Sequence, residues 1–176
     1  MKKKIVEFLI IIFFYVLQVT FGRVIAIGGI KPNLLVILPV IFGFLNGRNE
    51  GMYVGFISGI MYDLYFGGLF GVSALVFVYI GYFAGTFHHD FEENEILLPL
   101  AVLLIGSFGH SFLSYIGYFF LHNRLNVGYF VSRFILPEVI YTTCVMVVLY
   151  KPMIFINSKL YTRVKRRVNS LDKGNS

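Results

Sequence analysis

The chain has 176 residues, of which 57% are hydrophobic and 14% charged, with a mean hydropathy of +0.78. A water-soluble domain of this size needs a polar exterior, and the polar residues here are too few and too strongly grouped to supply one. The net charge of +6 collects at the two ends rather than on a face, which argues against nucleic acid as a partner, and the single Cys144 rules out a disulfide framework or a zinc cluster.

In chain order, the triplet Lys2-Lys3-Lys4 precedes an apolar run over residues 5–22. That layout resembles a secretory signal, but no small-x-small cleavage site follows, so the run is read as an uncleaved first span. Pro32 opens a second apolar run at residues 34–45, shorter than the ~20 residues that cross a bilayer upright. It is therefore expected to be partly buried or lengthened by its flanks. A polar turn at residues 46–50 leads into a third run, 51–66, and Gly67-Gly68 separates this from a fourth, 72–87. An acidic stretch at 88–95 precedes a fifth run, 96–121, and a polar stretch at 122–126 precedes the sixth, 130–156. The expectation is an all-α integral membrane protein, a compact bundle of about six transmembrane helices. Residues 1–158 form its membrane domain and 159–176 a basic cytoplasmic tail.

Lys and Arg set the orientation. With the N-terminus in the cytoplasm, all 15 basic residues fall inside except Arg23, Lys31, Arg124 and Arg133. Both ends are then cytoplasmic, which requires an even number of spans. The tail either anchors on anionic lipid or contacts an acidic partner.

The third run carries the most information. Gly51, Gly55, Gly59, Asp63, Gly67 and Gly71 follow at steps of four. Small residues let helices approach closely where lipid gives no hydrophobic drive for association. The row drifts ~40° per step, which a helix crossing at an angle can follow. Gly81 and Gly85, then Gly106, Ser107, Gly109, Ser111 and Ser114, give the fourth and fifth runs similar faces. Packing within the bundle accounts for most of these glycines.

Asp63 stands ~18 Å along its helix, well inside a ~30 Å hydrocarbon core. An acid at that depth faces protein or water, as a helix–helix clamp or as a functional group. Glu138 follows Pro137 about two turns into the last run, near Arg133, and Tyr141 and Thr142 continue its face. His110 and Asn33 fall in the same outer half. Asn33, Asp63, His110, Arg133 and Glu138 are thus candidates to converge on an outer polar cluster. A metal site from His88, His89, Asp90, Glu92 and Glu93 competes with a solvated acidic loop, and the loop is the reading adopted. His110 beside Ser107 and Ser111 imitates a nucleophile–base pair, although such residues in a membrane helix usually bond to neighbours. Glu7 lies one turn from Lys3 and Lys4 and is expected to form an interfacial ion pair. No HExxH, GxSxG, P-loop or CxxC motif occurs, so neither an enzyme nor a cofactor is expected.

Several pieces together resemble the rod shape-determining protein MreD family. They are Pro32-Asn33-Leu34-Leu35, then Gly51-x3-Gly55-x2-Ser58-Gly59-x3-Asp63 with Gly67, Gly68 and Gly71, and finally Pro137-Glu138-x2-Tyr141-Thr142. Asn33 stands where many relatives carry Asp. The resemblance implies a component of the bacterial inner membrane that acts in cell-wall elongation without catalysis of its own. Its implied partners are MreC, the actin-like MreB, and a class B penicillin-binding protein with its glycosyltransferase. The implied fold is similar to the substrate-binding component of energy-coupling-factor transporters, a six-helix bundle with an outward-facing cavity. Gly55, Gly59, Asp63 and the outer polar residues, Tyr141 included, are then candidates to receive a partner's transmembrane or juxtamembrane segment. The rival reading is a vitamin-like small-molecule binding subunit of a transporter. Reporters fused at each end are expected to read the cytoplasm; opposite compartments would refute the even-span topology.

Overall fold

The computed structural model of the chain describes residues 2–21, 26, 29–66, 70–89, 95–122 and 127–172. Among these there are six helices and no strand. They are α1 (Lys2–Phe21), α2 (Leu34–Asn46), α3 (Arg48–Phe66), α4 (Val72–Thr86), α5 (Leu97–His122) and a long α6. The last runs as Val127–Phe130, a π-helical turn at Val131–Ile135, and Leu136–Asp172. Helix therefore continues past residue 158, where the sequence suggested a membrane domain gives way to a tail. Gly67, Gly68, Asp90, Glu92, Glu93, Arg23 and Arg124 lie outside the described residues.

Successive helices reverse direction, so the bundle has a basal end, where α1 starts, and a distal end, where α2, α4 and α6 start. The 13-residue α2 is the centre. From Leu34 to Phe44 every residue is buried, and α2 touches each of the other five helices. Such a helix is apolar on all sides because it has no outer side. At ~20 Å it is shorter than a hydrocarbon core, consistent with a segment shielded by its neighbours. Asn33 starts it, in an extended conformation, its Oδ1 accepting from the Val36 N–H at 3.2 Å.

The closest packing lies between α3 and α4, where backbones meet. A Cβ added to Gly55 would stand 2.3 Å from the Phe77 carbonyl oxygen, and one on Gly59 would stand 2.4 Å from Ala74 Cα. Gly51 and Gly81 block one another in the same way. The row at steps of four thus runs antiparallel along α4. Gly55 and Gly59 face α4 and do not line an open groove for a partner. Gly106 of α5 abuts Ile80, whereas Gly109 opens onto free space.

The basal end is closed by polar pairs. Lys4 bonds to Glu50 on α3, lies 3.8 Å over the Tyr53 ring, and is 3.7 Å from Glu7. The expected pair between Lys4 and Glu7 is present, but Glu7 is buried and Lys4 also reaches across to α3. Asn46 and Asn157 exchange two amide hydrogen bonds, 3.2 and 3.1 Å, between α2 and α6. His88 Nδ1 lies 2.6 Å from the Phe44 carbonyl oxygen in the last turn of α2; of the acidic stretch only His88, His89 and Glu95 are among the described residues.

The outward faces carry large apolar side chains, among them Phe13, Phe56, Leu75, Ile105, Ile140 and Val148. Two helices, over Leu97–Gly117 and Gly128–Lys159, are long and apolar enough to cross a membrane. Gly55→Leu is expected to destabilise the fold strongly, by at least the ~1–3 kcal/mol of an overpacked site. Gly109→Ala should be neutral or stabilising by up to ~1 kcal/mol. Thermal unfolding of both variants in detergent checks the contrast.

Candidate functional site

Asp63 is the next member of the glycine row, so it arrives where α4 begins. Its Oδ2 accepts from the Gly71 N–H at 2.8 Å and the Ala74 N–H at 3.4 Å. Gly71 precedes α4 with φ +96° and has no side chain with which to cap it. The carboxylate of α3 therefore does what an N-cap side chain would do, and the positive end of α4 favours its charge. Of the two roles open to a deep acid, the geometry displays the clamp.

A second node lies at the start of α2. Gln18 of α1 brackets the chain there, its Nε2 donating to the Pro32 carbonyl oxygen at 2.9 Å and its Oε1 accepting from the Leu34 N–H at 2.7 Å. The Asn33 N–H donates to Thr142 Oγ1 on α6 at 2.9 Å, and Thr142 in turn donates to the Glu138 carbonyl oxygen at 2.8 Å. Three helices are thereby tied at one point. Asn33 Nδ2 is buried there with no hydrogen-bond partner.

Between these nodes two small cavities adjoin at the distal end. One, of about 160 Å³, is lined by Gln18, Lys31, Asn33, Tyr62, Phe134 and Glu138, among others. The other, of about 140 Å³, is lined by Tyr62, His110, Ser111, Phe130, Phe134 and Glu138, with Tyr115 and Ser114. Tyr62, Phe134 and Glu138 belong to both walls. Tyr62 directly precedes Asp63 on α3. His110, 1% exposed, places Nε2 3.0 Å from Ser73 Oγ at the start of α4. Its ring packs edge-on against Tyr62 at 5.0 Å between centroids.

Of the sequence candidates, Asn33, His110 and Glu138 thus share this cavity system, while Asp63 lies beside it, turned to α4. Arg133 is exposed on the π-helical turn and lines neither cavity. Tyr141 is half-buried on α6, also outside both linings. The serine that meets His110 is Ser73; Ser107 donates instead to the Leu103 carbonyl oxygen of its own helix at 2.8 Å. Sequence reasoning missed Gln18, Tyr62 and Ser73. Gln18 had a signal, being an amide in an otherwise apolar run; Ser73 and Tyr62 had none, since only the fold brings them to His110.

A six-helix bundle with an acid-capped joint and a polar cleft at one end defines the class: a helical protein whose chemistry lies among its helices. The chain belongs to the rod shape-determining protein MreD family, whose model matches residues 2–160. No curated protein and no solved structure matches it.

Asp63→Ala is expected to cost ~0.5–2 kcal/mol, the usual loss for a removed helix cap, and Asp63→Asn to recover most of it. Faster amide exchange at Gly71 and Ala74 in the Ala variant would trace that loss to the cap. Unchanged stability and exchange would remove the clamp.

Proposed function

We propose that the chain is a multi-pass scaffold in the bacterial inner membrane, serving the rod-shape and cell-wall elongation complex. Membership of the MreD family supports a role in rod shape determination. The observation that carries the membrane assignment is the apolar outward surface. Phe13, Leu64, Leu75, Ile105, Ile140 and Val148 are each more than half exposed. Water penalises a continuous surface of that kind, and acyl chains do not. With Lys4, Arg48, Lys151 and Lys159 toward the basal end, that end is cytoplasmic and the cleft faces outward.

On this reading the protein works through helix contacts and has no catalysis of its own. Its primary partner is MreC, whose transmembrane or juxtamembrane segment docks at the distal half of α6, beside Arg133 and Tyr141. MreB, a class B penicillin-binding protein and its glycosyltransferase join the same assembly, so that peptidoglycan synthesis is positioned by the scaffold. Gly55, Gly59 and Asp63 support docking by holding the joint of α3 and α4 rather than by touching the partner.

Co-purification with MreC tests this. Arg133→Glu is expected to reduce recovered MreC about tenfold, or ~1.4 kcal/mol, with the unfolding temperature of the bundle unchanged. Undiminished recovery would overturn the docking site, and failure of the parent protein to retain MreC would overturn the scaffold.

A further inference from the structure

Polar groups with no partner gather at the distal cavities. Asn33 Nδ2 and His110 Nδ1 are both buried and unbonded, and each residue lines one of the two cavities. Each such group ordinarily costs ~1–3 kcal/mol when left unpaired. Glu138 lies in the shared wall, and among the described residues no Lys or Arg forms an ion pair with it. Asp63 is already held by the amides of α4. An acid among helices normally has a partner, so the unpaired groups indicate what the cleft accepts.

Glu138 stands in the wall common to both halves of the cleft, and the halves differ in what accompanies it. In the half toward α5, Glu138 is accompanied by Ser111 Oγ and by the rings of Tyr62, Tyr115, Phe130 and Phe134. Tyr115 and Phe130 lie 4.6 Å apart between centroids, and Phe130 and Phe134 lie 5.3 Å apart. In the tautomer that donates Nε2–H to Ser73, His110 Nδ1 is an acceptor. A carboxylate, two further acceptors and aromatic faces suit an ammonium group and reject an anion. In the half toward α2, whose lining holds Lys31 as well as Glu138, the Asn33 Nδ2 amide is an unpartnered donor that suits an anionic oxygen group, and Lys31 brings a cation to the same wall. A purely apolar occupant would leave Asn33 Nδ2 and His110 Nδ1 unpaired.

We propose that the distal cleft binds a small zwitterion, its ammonium at Glu138 among the four aromatic rings and its anionic oxygens at Lys31 and Asn33. An ethanolamine phospholipid headgroup has this chemistry, and so does a free amino-phosphate. The lipid is favoured, because Phe134, which lines both cavities, is also exposed on the outside of the bundle and so carries the cleft's apolar wall out to where acyl chains lie. The lipid source rests on the membrane reading above; it does not depend on MreC, so loss of one leaves the other standing.

The full chain in detergent is titrated with short-chain phosphatidylethanolamine, with phosphatidylglycerol of equal chain length, and with hexylamine, and bound species are counted by native mass spectrometry. Phosphatidylethanolamine should saturate at one site and bind at least tenfold more tightly than phosphatidylglycerol. Glu138→Gln should weaken phosphatidylethanolamine and hexylamine about tenfold each. Lys31→Ala should weaken the phospholipid alone and leave hexylamine unchanged, a split that general loss of structure would not produce. Lys31 precedes α2 and is only partly buried, so this variant keeps the test available if Glu138→Gln fails to fold. Competition by free phosphoethanolamine would support the site with a soluble ligand as its source; absence of competition would support it with the lipid. Equal binding of the two phospholipids, or parent-like affinity for phosphatidylethanolamine in both variants, would overturn the proposal.

Discussion

Backbone contact between α3 and α4 is the constraint from which the rest of the bundle takes its shape. Two helices can approach this closely only where neither presents a side chain, and Gly51, Gly55 and Gly59 meet Gly81, Phe77 and Ala74 in that manner. The same register carries Asp63 onto the first turn of α4, where two backbone amides need an acceptor. Packing and polarity therefore agree at this joint: the contact that removes side chains also delivers the one carboxylate the helix end requires. With the pair held together, α2 can lie against both and be buried on every side.

The two ends of the bundle treat their polar groups differently. At the basal end they are paired across helices, as in Lys4 with Glu50 and Asn46 with Asn157. At the distal end the backbone ties of Gln18, Asn33 and Thr142 are complete, yet Asn33 Nδ2 and His110 Nδ1 are left without partners. Folded proteins pair nearly all buried polar groups, so two unpaired ones in adjoining cavities locate a site where something else completes them. The tight joint and the incomplete cleft share a border at Tyr62 and Asp63, adjacent on α3. Stability at the joint thus fixes the wall of the cleft.

Much of the architecture was legible because helix length and apolarity are local properties. Six helices, their order and the polar breaks between them follow from runs of apolar residues and from Gly, Asn and charge between the runs. The short second run is a case where a deficit in length announced burial. Asn33 starts α2 through a contact of the same local kind, since its capping side chain acts on its own chain, three residues ahead. The glycine row and the depth of Asp63 were equally plain, since both depend on spacing along one helix.

Azimuth and partner choice were decided elsewhere. Spacing gave Glu138 and His110 similar depth, but only the crossing of α3, α5 and α6 brings them to one cleft and leaves Arg133, five residues before Glu138, exposed on a π-helical turn. His110 meets Ser73, 37 positions away, and passes over Ser107 on its own helix. Sequence by itself determined which segments are helical, which residues are small enough for contact and which acid is deep. Tertiary structure decided what each faces, because a hydrogen bond or a cavity wall depends on the relative rotation of helices, and no single helix encodes that angle.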